Sequence, residues 1–244
     1  DVARALETEW HVHSIGGQKF HSKGMRLAAD CPWSNQSASH FVLALSDEQI
    51  EQRVRGLAPC NHKFSVNVLI DEPVKGRKDI CYMVHHLDER EFLAPAVVLV
   101  PACDDVHFAK MKALRREIEK SYPSYIDGAE NEMIEHLAYK QKLFKGTWYL
   151  AEVNGEVVGA AGLIIVETPL GSVGRLQDVD INRARQGQGL GNGLLRALLE
   201  KARSLKLEAL YLRAECDDWP RSWYGRRGFQ EVAYCRRFSL TTGN

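Results

Sequence analysis

Residues Leu176–Ala202 read LQDVDINRARQGQGLGNGLLRALLEKA, and the reading of the whole chain turns on them. Leu176, Val179 and Ile181, with Asp178 and Asp180 between them, predict a short strand. Strand side chains alternate, so the two aspartates are expected on the face opposite Val179 and Ile181. Gly187, Gly189, Gly191 and Gly193 then fall at every second position. Leu194, Leu195, Leu198, Leu199 and Ala202 follow with the spacing of one apolar helix face. Arg196, Glu200, Lys201 and Arg203 fill the other face, Arg196 and Glu200 at a spacing that permits a weak ion pair. A glycine turn that opens a helix can aim several backbone N–H groups at one point, where the helix dipole favours an anion. Taken alone, the four glycines are equally well read as a flexible surface turn.

The anion is narrowed by elimination and by motif. A P-loop needs Lys-Ser/Thr after its last glycine, and Gly193 is followed by Leu194-Leu195. A dinucleotide fingerprint needs a third glycine where Gly187-x-Gly189-x-x-Asn192 has asparagine. Gln186-x-x-Gly189-x-Gly191, written QGQGLG after the strand end at Ile181, resembles the acetyl-CoA pyrophosphate loop of the GCN5-related N-acetyltransferase (GNAT) superfamily.

Composition sets the class. The chain has 244 residues, 45% apolar and 26% charged, ordinary usage for a globular protein with ample core. Lys plus Arg and Asp plus Glu number 32 each, so no nucleic-acid or membrane-surface partner is expected. No apolar run is long enough to span a bilayer, and no signal-peptide pattern is present. Cys31, Cys60, Cys81, Cys103, Cys216 and Cys235 are scattered without C-x-x-C spacing, as in reduced thiols of a cytoplasmic protein. His11 with His13 and His85 with His86 lack a carboxylate or thiol set at zinc spacing, so no metal is expected.

Residues 1–103 carry the weaker pattern. Strands are predicted at Trp10–Ser14, Met25–Ala29, His40–Leu45, Phe64–Ile70, Ile80–Val84 and Ala96–Val100, with turns at Gly16-Gly17 and Pro73–Arg77 and a loop at Pro32–Ser39. Ser46 starts a predicted helix that Gly56 ends. From residue 104, helices are predicted from Phe108 to about Tyr122-Pro123 and over Ala129–Leu143. The strand Trp148–Val153 meets Glu156–Val166 across the hairpin signal Asn154-Gly155. Gly159 and Gly162 mark a bulge or a close backbone approach in the second strand. After the opening stretch come a strand at Glu208–Arg213, a short helix near Trp219–Arg226 and a last strand at Phe229–Leu240.

That β-α-α-β-β-β-α-β-α-β order resembles the whole GNAT fold. A second motif agrees with it: Leu210-Tyr211-Leu212, Asp217-Asp218-Trp219-Pro220, then Trp223-Tyr224-Gly225-Arg226-Arg227-Gly228-Phe229. Asp217 stands where the family often has asparagine, which bears on one hydrogen bond to pantetheine. The resemblance covers roughly residues 97–244. The wording Asp-Asp-Trp-Pro-x-x-x-Tyr is similar to a bacterial branch with an extra N-terminal half. The fold expected is α+β with a mixed sheet: a GNAT acyl-CoA N-acyltransferase domain at 104–244 and a smaller α+β half at 1–103 resembling a degenerate GNAT. The first half has no QGQGLG counterpart and is not expected to bind acetyl-CoA.

The resemblance implies acetyl-CoA as cosubstrate, no metal, and acetyl transfer to a primary amine by direct attack. It places the pyrophosphate on Gln186, Gly187, Gln188, Gly189, Leu190, Gly191 and Asn192. The pantetheine arm falls along Val179, Asp180 and Ile181, where a backbone N–H would polarise the thioester carbonyl, with Asp217 and Tyr224 further along. Tyr224 falls on the general-acid position; an ordinary tyrosine pKa of about 10 keeps it protonated at neutral pH. Asp178 and Glu215 are the candidates for the base. Tyr122, Tyr125, Asp127 and Glu130, between and at the start of the two helices, would suit a cationic amine. The N-terminal half could cover the acceptor site, complete a continuous sheet or form a homodimer contact. The other reading is a catalytically weak CoA-binding sensor or interaction module.

Overall fold

The structure is a computed structural model that describes residues 1–14, 18–22, 25–29, 36–41, 49, 52, 63–88, 92–122, 125, 128–144, 146–169 and 171–241. The elements are α1 (Val2–Ser14), β1 (Gln18–Ser22), β2 (Met25–Ala29), β3 (Gln36–Phe41), β4 (Lys63–Ile70), β5 (Ile80–His85), β6 (Val98–Pro101), α2 (Asp105–Lys120), α3 (Ala129–Leu143), β7 (Gly146–Val153), β8 (Glu156–Thr168), β9 (Gly171–Ile181), a 3-10 turn at Arg183–Arg185, α4 (Leu190–Ser204), β10 (Leu210–Glu215), α5 (Trp219–Gly225) and β11 (Gln230–Thr241). They form two compact units, Asp1–His85 with Tyr211–Asn244, and His86–Leu210.

In the first unit the strand order is β1-β2-β3-β4-β11-β5-β10. β3 runs parallel to β4, and β11 is antiparallel to both β4 and β5. The last strand of the chain is therefore laddered to residues 63–85 on both sides. For that reason the compact units do not follow the 103/104 boundary drawn from the sequence. Asp79 locks this arrangement from a fully buried position. It accepts two hydrogen bonds from Arg236 at 3.1 Å and one from the Val74 N–H at 2.9 Å. Burial pushes its carboxyl up, but these partners outweigh burial and hold it below the usual range.

Two expectations for this region fail. Trp10–Ser14 is the end of a helix rather than a strand. Trp10 and Val12 imitate strand alternation, but buried Ala5, Thr8, Glu9 and Val12 recur at helical spacing. Part of the predicted loop Pro32–Ser39 is strand, because the polar run QSASHF gains its conformation from pairing with β4. β1 was not anticipated. The predicted turn at Gly16-Gly17, residues 32–35 and 42–45, and all of the helix at 46–56 except the helical Gln49 and Gln52 lie outside the described residues.

In the second unit β9, β8, β7 and β6 form successive antiparallel pairs. The hairpin Asn154-Gly155 is as expected, both residues at positive φ (52° and 80°) with Val153 opposite Glu156. Glycines 159 and 162 mark close approaches. A Cβ at 159 would meet the Asp180 carbonyl at 2.5 Å, and one at 162 would touch the Trp148 indole at 3.0 Å. The apolar face predicted for α4 is buried in full, from Leu194 to Ala202. At roughly 1.5–3 kcal/mol per leucine, this face fixes where the helix begins.

Candidate active site

The glycine loop is held open by its backbone. After β9 the Asn182 side chain caps the 3-10 turn by accepting from the Ala184 N–H at 3.0 Å, and the Gln186 amide returns to the Ile181 carbonyl at 3.1 Å. Gly187 and Gly189 both adopt φ +77°, a region that strains any residue with a Cβ. Gly189 is the N-cap of α4 and supplies no side-chain cap. Asn192 and Gly193 donate to the Gly189 carbonyl, and the N–H groups of Leu190 and Gly191 are left for another acceptor. Residues 186–189 are exposed. Gly193 has a different reason to be glycine, since a Cβ there would strike Val97 Cγ2 at 2.5 Å and the Pro95 carbonyl at 2.6 Å. Asn192 donates from its side chain to the Leu93 carbonyl at 3.2 Å. These features fit a phosphate-bearing group: open N–H donors, a helix start and no Cβ in the way at 187 and 189.

The strand before the loop departs from simple alternation. Gly162 pairs with Gln177 and Ala160 with Asp180, so Asp178 and Val179 share the space opposite Ala161. Asp178 has φ +49° and is exposed. This bulge overturns the expectation that Asp178 and Asp180 simply share the face opposite Val179 and Ile181, because a two-for-one step resets the alternation. It also breaks the register of β9 with β8 at Asp178 and Val179.

Arg115 holds the bulge. This side chain, 2% exposed, ion-pairs with the Asp180 carboxylate through Nη1 and donates through Nη2 to the Asp178 carbonyl. The sequence reading passed over Arg115. The signal was present, because it lies within the buried stripe Met111, Leu114, Ile118 of α2, where a charge must be paired.

Acidic and phenolic groups gather beside it. The Tyr122 hydroxyl reaches the second Asp180 oxygen at 3.5 Å, and its pKa is pushed up to about 12 by burial and then by Asp180. The Tyr125 hydroxyl donates to Glu130 at 2.8 Å, and this bond, more than Lys120 at 3.5 Å, lowers the Glu130 carboxyl. Asp127 lies outside the described residues. Glu119, absent from the sequence reading, is part-buried on α2. Burial raises its carboxyl, Asp180 raises it further, Arg115 opposes, and Asp178 and Glu130 add smaller upward pushes.

Tyr224, Glu215 and Asp217 belong to the other unit. Tyr224 is 9% exposed, edge-on to Trp223 (ring centroids 4.7 Å apart) and to Phe229 (5.2 Å). Glu215 is exposed at the end of β10. Asp217 accepts the Gly76 N–H at 2.6 Å, so its carboxylate already serves the turn after β4. Of the cysteines described, Cys81, Cys216 and Cys235 are buried and Cys103 is exposed, all as free thiols. Among the described residues no cluster of His, Cys, Asp and Glu could hold a metal, and no helix is long and apolar enough to cross a membrane.

Residues 111–229 match the acetyltransferase (GNAT) family. Those residues form a domain of the GNAT superfamily. The α+β fold of the chain is that of solved GNAT structures. A tandem GNAT protein from the clavulanic acid biosynthesis pathway is 12% identical, with a TM-score of 0.60 over 90% of this chain and 79% of that one. A GCN5-related N-acetyltransferase from Kribbella flavida is 12% identical, with a TM-score of 0.59 over 99% and 95%. A conserved protein of unknown function from Staphylococcus epidermidis gives a TM-score of 0.65 at 13% identity, over 96% and 98%. No curated protein matches the sequence. GNAT membership assigns the chain to acyl transfer in general terms.

Proposed function

We propose that this protein transfers an acetyl group from acetyl-CoA to a primary amine, on a small molecule or a peptide, by direct attack. The uncapped start of α4 behind two left-handed glycines, in a chain of this family, carries the reading. The segment Gln186–Asn192 would take the pyrophosphate, on N–H groups other than those of Gln186 and Asn192, which donate to the Arg183 and Gly189 carbonyls. The backbone at Val179–Ile181 would lie along the pantetheine arm, and an N–H at the bulge would polarise the thioester carbonyl. Attack of the amine nitrogen on that carbonyl carbon breaks the C–S bond, Tyr224 gives the departing thiolate its proton, and the proton that nitrogen loses as the amide forms returns to Tyr224 through solvent. Functionally, residues 104–244 would carry this machinery, with 1–103 as a degenerate copy that lends β5 to the ladder of β11.

The engagement of Asp217 with Gly76 favours a second reading, a CoA-binding module with weak turnover, because it occupies one group expected to bind pantetheine. Acetyl-CoA consumption with a panel of primary amines separates the two. Tyr224→Phe is expected to lower kcat by about 10²–10⁴-fold while leaving acetyl-CoA affinity unchanged. Turnover in the variant equal to the native rate contradicts the acid role.

A further inference from the structure

Of the carboxylates around the β9 bulge, Asp180 is committed to the buried Arg115, and Asp178 stands exposed to water. Glu130 is held by Tyr125 and Lys120. The Glu119 carboxylate has no hydrogen bond or ion pair among the described residues. Its position on α2 is bracketed by its neighbours: Arg115 lies one turn before it on the same helix face, and Tyr122 follows it just past the helix end. Both of them touch Asp180. Glu119 therefore sits between two anchors on the face that α2 presents to the bulge. There the register of β9 with β8 breaks at Asp178 and Val179.

We propose that Glu119 is the general base of the reaction, taking the proton of a cationic amine acceptor drawn in by the acidic face of α2, β9 and α3. This rests on the acetyl-transfer reading above. The ammonium gives one proton to the Glu119 carboxylate, and the neutral amine attacks the acetyl carbonyl carbon. The C–S bond breaks, Tyr224 protonates the thiolate, the second proton that nitrogen loses as the amide forms returns to Tyr224 through solvent, and Glu119 releases its proton to solvent. The charged and titratable groups facing Glu119 are Arg115 on α2, Tyr122 just past its end, Asp178 and Asp180 on β9, and Glu130 on α3. Burial raises the Glu119 carboxyl, and the carboxylates add to it against the one guanidinium, which brings it nearer to the operating range of a base. They also give a cation a favourable field.

The test uses the full chain and the Glu119→Gln variant. Acetyl-CoA consumption is followed from pH 6 to 10 with spermidine, a lysine peptide and an aminosugar. The Glu119 carboxyl of the native chain is titrated by carbon-13 NMR. The expected result is a loss of about 10²–10⁴-fold in kcat/KM near pH 7 that shrinks as pH approaches the amine pKa of about 10, with acetyl-CoA affinity unchanged. The carboxyl is expected to titrate above the ordinary glutamate value of about 4.3 and to fall in Asp180→Asn. A variant within threefold of native across the pH range overturns the proposal, and so does a Glu119 that titrates at the ordinary value. If none of the amines is consumed, the titration alone decides it. A native chain that fails to bind acetyl-CoA at all overturns the acetyl-transfer reading, which the variant comparison cannot do.

Discussion

The loop at Gln186–Gly189 and the bulge at Asp178–Val179 lie on the same stretch of chain, and both interrupt regular backbone pairing. The means differ. The loop is open because glycines take φ +77° and the helix start has no side-chain cap, all of it local. The bulge is held open by a buried guanidinium that reaches the Asp180 carboxylate from 65 residues earlier. One opening is written in adjacent residues, and the other is assembled by the fold. A substitution should therefore break the first by conformation and the second by an unpaired charge.

The largest effect is expected at the bulge. Arg115→Met strands the Asp180 carboxylate and should destabilise the fold by about 3–5 kcal/mol. Adding Asp180→Leu should recover part of that loss, because the unpaired charge is then gone. Urea denaturation of the two variants measures both, and equal stabilities would contradict the pairing. Around the loop, Gly193→Val drives a side chain into Val97 and the Pro95 carbonyl and should cost about 1–3 kcal/mol. A thermal melt unchanged from native would show that residues 95–97 do not pack there.

The smallest effect concerns pH. The folded state raises the Glu119 carboxyl, so it binds that proton more tightly than the unfolded chain does. Stability then falls as pH rises from the unfolded value of 4.5 through the raised one. Glu119→Gln removes that fall and should melt higher than native at pH 7 but not below pH 4. A variant that melts lower than native at pH 7 would mean that Glu119 is a structural partner.

The same contrast explains what was legible in the sequence. The elements from β7 to β11 could be placed because each carries its own period, turn or cap. Asn154-Gly155, the apolar face of α4 and the glycine loop need no distant partner. Arg115, Glu119 and the bulge could not be placed, because alternation along Leu176–Ile181 says nothing of a partner on α2. A charge inside the stripe Met111, Leu114, Ile118 was the one available clue. In the first unit the polar strand β3 was hidden for the same reason, since it is made a strand by its neighbour. The helical spacing of α1 was legible, and the shorter alternation at its end masked it.

Isothermal calorimetry of acetyl-CoA against the native chain and a folded Gly189→Trp, Gly191→Trp variant tests the central claim most directly. Micromolar binding to the native chain that disappears in the variant is the predicted result. Equal binding by both, or none by the native chain, would contradict the assignment of the loop.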